Sequence, residues 1–464
     1  MTTFLKINLA APVAALLSTS ALADPAPAVV EAFAAALAVL PQDGTAPAQN
    51  ATGKLAAILK STAGDPAARR EFSSKMAALL TTALNHDSKT FLCRQLASAG
   101  SEADVPSLAP LLAEAATADM ARDALESIGG AKSAEALRLA LPKASGNSLA
   151  GIINSLAVLK DAAAVPALAV ISAGADPAAA AAAVDALGKI AGPSADQALE
   201  TLHHTVSGKL LDDVQDAWLC CAGLPASVEQ RARSLKICQQ VLEKTKTPAL
   251  RQLSLRTMLH ASGPNAPLPA AGDETGFELL FNGRDLSGWQ GADYEVVDGV
   301  IICHGHHGGY LGSTRSDYAN FILRFEVKFS PGANNGLNFR TDGPIWNELQ
   351  ILDDTHALFH DIKPWQSHGS LYGVAPAKRG YLKPTGEWNT EEVIADGTKI
   401  KVTLNGTVIL DLNLAQLDLE HCADGTAHLG LRRPTGGLGW LGHLNSSENP
   451  GPIFLRQIRL KRLP

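Results

Sequence analysis

Phe321-Ile322-Leu323-Arg324-Phe325-Glu326-Val327-Lys328-Phe329 alternates with a period of two: its odd positions are all apolar, and its even positions after Ile322 are charged. Side chains on a strand point to opposite faces in turn, so this run predicts a β-strand with one face in a core and one towards water. Downstream, Ile400, Val402 and Leu404 lead into Asn405-Gly406, and Val408, Leu410 and Leu412 follow. Asn-Gly between two alternating runs predicts a tight hairpin, because both turn residues need positive φ. Strands separated by polar turns, with little helix among them, predict a β-sandwich or jelly roll over residues 276–464.

Upstream the period changes. Leu125, Leu156 and Leu187 stand 31 residues apart, and so do Leu137, Leu168 and Leu199. Each unit holds two short amphipathic helices, interrupted at Gly129-Gly130, Asp161 and Gly192-Pro193. Neither helix can bury its apolar face alone, so neighbouring pairs must stack. Val105-Pro106 looks like an earlier copy and Trp218-Leu219 like a later, degenerate one. The unit is similar to HEAT-like repeats, though shorter than their ~40–47 residues, and predicts an α-solenoid over 24–260. The stretch from Ala261 to Pro269 is too dense in proline and glycine to continue a helix, so 261–275 reads as a linker. The expected fold class is therefore multidomain, α then β.

Composition sets the outer limits. A chain of 464 residues holds two or three domains at ~100–200 residues each. Hydrophobic residues make up 46 %, enough for sizeable cores, and the net charge of −7 comes without a strongly basic stretch. Nucleic acid is therefore not an expected partner. Lys6, the apolar run Ile7 to Leu17 and the small-x-small site Ala21-Leu22-Ala23 read as a signal peptide over 1–23, giving a periplasmic or secreted protein that starts near Asp24. No other apolar run reaches ~18 residues, so no membrane span is expected. The six cysteines show neither a compact disulfide framework nor a zinc spacing. Export permits disulfides, and the spacing leaves the pairing open.

Several stretches of the second half carry a resemblance. Phe277-Glu278-Leu279-Leu280-Phe281-Asn282-Gly283-Arg284-Asp285-Leu286-Ser287-Gly288-Trp289 opens it. Val297-Asp298-Gly299-Val300, Gly309-Tyr310-Leu311, Tyr318-Ala319-Asn320-Phe321, Asn334-Asn335-Gly336 to Arg340, Glu348 to Asp354, Leu371-Tyr372-Gly373 and Gly386-Glu387-Trp388-Asn389 follow in order. Gly437 to His443 and Ile453 to Leu460 close it. Together these resemble the 3-keto-disaccharide hydrolase family, which has a concanavalin A-like jelly-roll fold. Asn335 replaces a serine of the family pattern, Leu444 to Gly451 is an insert, Leu455-Arg456-Gln457-Ile458 departs from the family's closing motif, and Cys303-His304-Gly305-His306-His307 is unusually rich in histidine.

The resemblance implies cleavage of 3-keto-glycosides by hydrolysis or by elimination and hydration. A ketone at C3 acidifies the C2 proton, so a base can remove it and the C1 substituent then leaves. The chemistry calls for a base, an acid for the leaving oxygen and positive charge near the enolate. Its place on an alternating strand and the family register make Glu348 the candidate base; a permanent charge makes Arg340 the candidate enolate stabiliser, titration near neutrality makes His443 the candidate acid, and Asp353 is a candidate to orient a partner or hold a cation. Asn335 is a candidate for hydrogen bonding to sugar, and Trp346, Tyr372 and Trp388 for stacking. Each has a plainer reading as a solvated glutamate, a surface ion pair, a structural histidine, a turn-capping aspartate or a core aromatic. His304, His306, His307, His356, His360 and His368 leave a divalent cation open, and no metal site or other cofactor is assigned. The rival reading is a noncatalytic carbohydrate-binding module carried on a solenoid that docks a protein partner.

Overall fold

The computed structural model describes residues 46–464 except 62–65, 83, 224–226, 267, 269–272, 305–308, 344–346 and 444–450. The signal peptide expected over 1–23, Trp346, His306, His307 and nearly all of the 444–451 insert lie outside the described residues. No described helix is long and apolar enough to cross a membrane. No disulfide joins the six cysteines. The chain divides into two compact units, residues 1–221 and 222–464.

The first unit is helical. Its helices His86–Ala99, Ala118–Ile128, Gly146–Val158 and Pro177–Ile190 form a row, each packed on the next. Gly130–Ala140, Val165–Ser172 and Pro193–Thr205 alternate with them along the chain. Both leucine series lie at the centre of this packing: Leu125, Leu156, Leu187, Leu137, Leu168 and Leu199 are all 0 % exposed. The breaks lie where the sequence sets them. Gly129 and Gly192 take positive φ, and Pro193 occupies the first helical turn, where its missing N–H costs nothing. Small residues allow close approach: a Cβ on Gly188 would stand 2.9 Å from the Ala217 backbone. The Trp218 indole is buried and donates to Asp196 at 2.6 Å.

The second unit opens with helices Val228–Lys244 and Pro248–Ala261. The sequence reading ends the helical region at 260; by compactness these two helices go with the sheets. Among the described residues thirteen strands follow: β1 Glu278–Leu279, β2 Trp289–Gly291, β3 Tyr294–Val297, β4 Val300–Cys303, β5 Tyr310–Ser313, β6 Phe321–Phe329, β7 Asn334–Thr341, β8 Glu348–Leu352, β9 Trp388–Asp396, β10 Lys399–Leu404, β11 Thr407–Asn413, β12 Gly437–Gly442 and β13 Ile453–Arg462. Among the described residues one sheet runs β11-β10-β9-β6-β13-β4-β3, with β1 on β13, and the other runs β2-β5-β12-β7-β8. All pairings are antiparallel. Their inner faces share one core, with Phe321, Phe325, Leu337, Phe339, Ile351 and Trp440 among its members. Asn405 and Gly406 both take positive φ and join β10 to β11, as the Asn-Gly signal requires.

The expectation that β6 turns its charged face to water is corrected. Lys328 is 0 % exposed, and Glu326 is also buried. Helix Pro248–Ala261 and the segment behind it cover this face. Lys328 Nζ donates to Leu259 O, Gly263 O and Asn265 Oδ1, the last at 2.6 Å. Arg456 donates to Asn265 O and Ala266 O and pairs with Glu326 at 2.6 Å. The start of the expected linker is thus hydrogen-bonded to the sheet. The Trp388 ring lies against both the Lys328 ammonium and the Arg456 guanidinium.

Candidate active site

On β8, Leu349 and Ile351 point into the core, so Glu348 and Gln350 occupy the opposite face of the five-stranded sheet. Their partners on β7 are Asn338 and Gly336. A Cβ on Gly336 would stand 2.1 Å from Glu348 Oε1, so only glycine leaves room for the carboxylate. Glu348 is 0 % exposed. Its Oε1 meets His443 Nε2 at 2.8 Å. The Gln350 amide, oriented by its neighbours, donates to the same oxygen at 3.1 Å and to Asn335 O at 3.2 Å. Oε2 has no hydrogen-bond partner among the described residues. A buried acceptor left unmet costs ~1–3 kcal/mol.

His443 follows directly on β12 and keeps a quarter of its side chain exposed. Its ring lines a cleft of about 240 Å³ with Asn334, Gln350, Leu352, Gln366 and Tyr372. Tyr372 N donates to Glu348 O at 2.9 Å, and Gln366 Nε2 donates to the Tyr372 hydroxyl at 3.3 Å. The Trp365 ring meets Tyr372 edge-on at 5.1 Å. Glu348 is therefore enclosed behind His443, and His443 reaches the cleft. A carboxylate held on one imidazole nitrogen fixes the ring's tautomer and orientation and leaves the other nitrogen free for proton transfer.

Residues 276–461 match the 3-keto-alpha-glucoside-1,2-lyase-like domain. Among solved structures, a candidate glycosyl hydrolase from Parabacteroides distasonis ATCC 8503 is 24 % identical with a TM-score of 0.36, over 40 % of this chain and 99 % of that one. A second from the same organism is 22 % identical with a TM-score of 0.33, over 41 % and 94 %. The carbohydrate-binding module CBM66 from Bacillus subtilis is 12 % identical with a TM-score of 0.26, over 38 % and 95 %. No curated protein matches the chain.

Within residues 276–461 the remaining expected site residues go elsewhere. Arg340 takes φ +48° at the irregularity where β12 shifts register on β7. Its guanidinium donates to Ala319 O and Gly397 O, both at 2.7 Å, and to Asn320 Oδ1 at 3.3 Å. None of these bonds reaches Glu348 or His443. Burial lowers the Arg340 pKa, and arginine still stays charged. Asp353 organises turns: it accepts from Gly332 N at 3.1 Å and from the Thr355 hydroxyl at 2.6 Å. Asn335 faces inward, donating to the buried Tyr294 hydroxyl at 2.9 Å. Trp388 is buried on the other sheet, as described above.

The histidines are spread over separate contacts. His304 lies 3.2 Å from Glu295, His360 2.9 Å from Asp361 and His368 3.3 Å from Glu391. His356 accepts from Leu358 N at 3.3 Å. Among the described residues no group of three or more His, Cys, Asp or Glu could hold a metal ion. A larger cleft of about 690 Å³ lies on the eight-stranded sheet. Its Arg324, Arg456 and Arg459 are already matched by Glu392, Glu326 and Glu274, so it offers little unmet charge to a ligand. Sequence reasoning missed Asn334, Gly336 and Gln350. The period of two places Gln350 beside Glu348, and that signal was enough to find it.

Proposed function

We propose that the C-terminal domain cleaves 3-keto-glycosides by elimination, with the Glu348–His443 pair moving the C2 proton. The observation that supports this reading most is the 2.8 Å contact between a fully enclosed carboxylate and an imidazole that opens on a cleft. The sequence casts Glu348 as the base and His443 as the acid. Burial favours a different division of labour, in which His443 Nδ1 meets the substrate and Glu348 holds the ring and offsets its charge. His443 takes the C2 proton, and the C2–H electron pair forms the enolate with the C3 carbonyl. The C1–O bond then breaks, its electrons leave with the alkoxide, and the imidazolium returns a proton to that oxygen. The products are an unsaturated 3-keto-sugar and an alcohol, and addition of water to the former gives net hydrolysis. Tyr372, Gln366 and Asn334 supply neutral donors around the cleft.

Isotope exchange tests this directly. In D₂O the wild-type protein should place deuterium at C2 of recovered substrate or hydrated product, above the exchange seen in buffer alone. Glu348→Gln should lower turnover by about 10²–10⁴-fold, the usual contribution of a positioned acid–base group, while keeping keto-sugar binding. Full activity in that variant, or turnover with C2 untouched, would overturn the assignment. Binding of sugar with no turnover of any keto-glycoside would make the domain a binding module instead.

A further inference from the structure

A third cleft, of about 360 Å³, lies at the other end of β7. Asn334 begins that strand and lines the cleft of His443, whereas Arg340, further along it, lines this one. A strand rises ~3.3 Å per residue, which sets the two clefts about 20 Å apart. The wall of the third cleft is largely apolar. Leu414, Leu419 and Leu431 belong to the sandwich core, Leu417 packs against it, and Pro434 adds to the lining.

Arg340 buries a charge in this wall, being only 3 % exposed. Its Nη1 donates to Gly397 O and its Nη2 to Asn320 Oδ1, and Gly397 and Asn320 both line the cleft. The Nη edge of the guanidinium therefore faces the cleft. A guanidinium carries five N–H groups. Those of Arg340 that are engaged go to Ala319 O, Gly397 O and Asn320 Oδ1, all neutral acceptors. Among the described residues one N–H on each Nη is left without an acceptor. The carboxylates near the mouth are engaged elsewhere: Asp342 pairs with Arg433 at 2.7 Å and Glu420 with Arg432 at 3.5 Å. Burial of the guanidinium outweighs the favourable charge of Asp396. The mouth is thus balanced in charge, and the wall keeps an unmatched cation.

We propose that this cleft binds a small monocarboxylate with an apolar body, its carboxylate taking the N–H groups that Nη1 and Nη2 of Arg340 keep. A guanidinium fork matches the two oxygens of a carboxylate. A single buried charge beside a balanced mouth calls for one negative charge rather than two. The leucines take a short aliphatic or aromatic body, and the volume falls at the small end of the ~300–1,000 Å³ usual for such sites. The site does not depend on the reaction proposed above.

Calorimetric titration of the full chain with hexanoate tests this. Hexanoate should bind, and hexanol, which keeps the apolar body and lacks the charge, should bind about tenfold more weakly or less. Ala415 lines the cleft and is exposed, so Ala415→Trp should obstruct the mouth without disturbing the core and weaken hexanoate by about tenfold. Arg340→Lys keeps the charge and loses the fork, and should weaken it by about 10–100-fold. No hexanoate binding to wild type, equal binding of hexanol, or unchanged binding to Ala415→Trp would each overturn the site. If Arg340→Lys does not fold, Ala415→Trp and the comparison with hexanol decide.

Discussion

Glu348 has no exposed surface and His443 keeps a quarter of its own, and the proposed reaction uses this difference by setting His443 rather than Glu348 against the substrate. The same parity logic governs the asparagines. Asn334 lines the cleft, whereas Asn335, one residue on, points into the core at Tyr294. A shift of one residue on a strand moves a side chain to the other face, so a motif match to Asn-Asn-Gly does not say which asparagine serves the site. Arg340 breaks the parity, because the register irregularity and its positive φ turn its guanidinium to the 319–320 and 397 loops. Arg340→Ala should therefore lower stability by about 1–3 kcal/mol per unmet buried group and leave kcat per folded molecule unchanged. A thermal melt with active-site-normalised kinetics checks this. A collapse of kcat with an unchanged melt would restore Arg340 as an enolate stabiliser.

At the scale of elements, β6 shows how a strand of correct pattern can acquire an unexpected environment. Three acceptors and two aromatic faces hold the Lys328 ammonium. Burial, with the Arg456 charge added, opposes them and lowers its pKa to about 7. The unfolded chain keeps an ordinary lysine near ~10.4. Between these values the unfolded state binds more protons, so stability rises with pH from about 7 upward and changes little below it. Between pH 7 and 8.5 the gain should be about 1–2 kcal/mol. Urea unfolding followed at the second unit's tryptophans should show this slope, and Lys328→Met should flatten it. A slope that survives the substitution would mean that another group carries it.

For the whole molecule, the choice of boundary matters. A fragment of residues 276–464 follows the linker signal, and a fragment of 222–464 follows compactness. The shorter one lacks Leu259, Gly263, Asn265 and Ala266, which take the hydrogen bonds of Lys328 and Arg456. It also uncovers the outer face of β6. The longer fragment should melt cooperatively. The shorter should aggregate or melt about 10 °C lower, as expected for several kcal/mol lost from a domain of this size. Equal melts would show that the helix Pro248–Ala261 is dispensable to the sandwich.

What the sequence by itself determined is what rides on period and local turn chemistry. The leucines at a spacing of 31, the alternation of 321–329 and the Asn405-Gly406 hairpin each depend on residues within a few positions, and each is found in place. The resemblance over 276–464 also pointed to Glu348 and His443 before their contact was known. Only the tertiary structure decided that they touch, that Glu348 lies behind His443, and that Asn335, Arg340 and Trp388 serve packing. These facts join residues from 21 positions apart, as for Arg340 and Ala319, to 95 apart, as for Glu348 and His443. Burial and hydrogen-bond partners at that range depend on the path of the whole chain, and no local pattern carries that information.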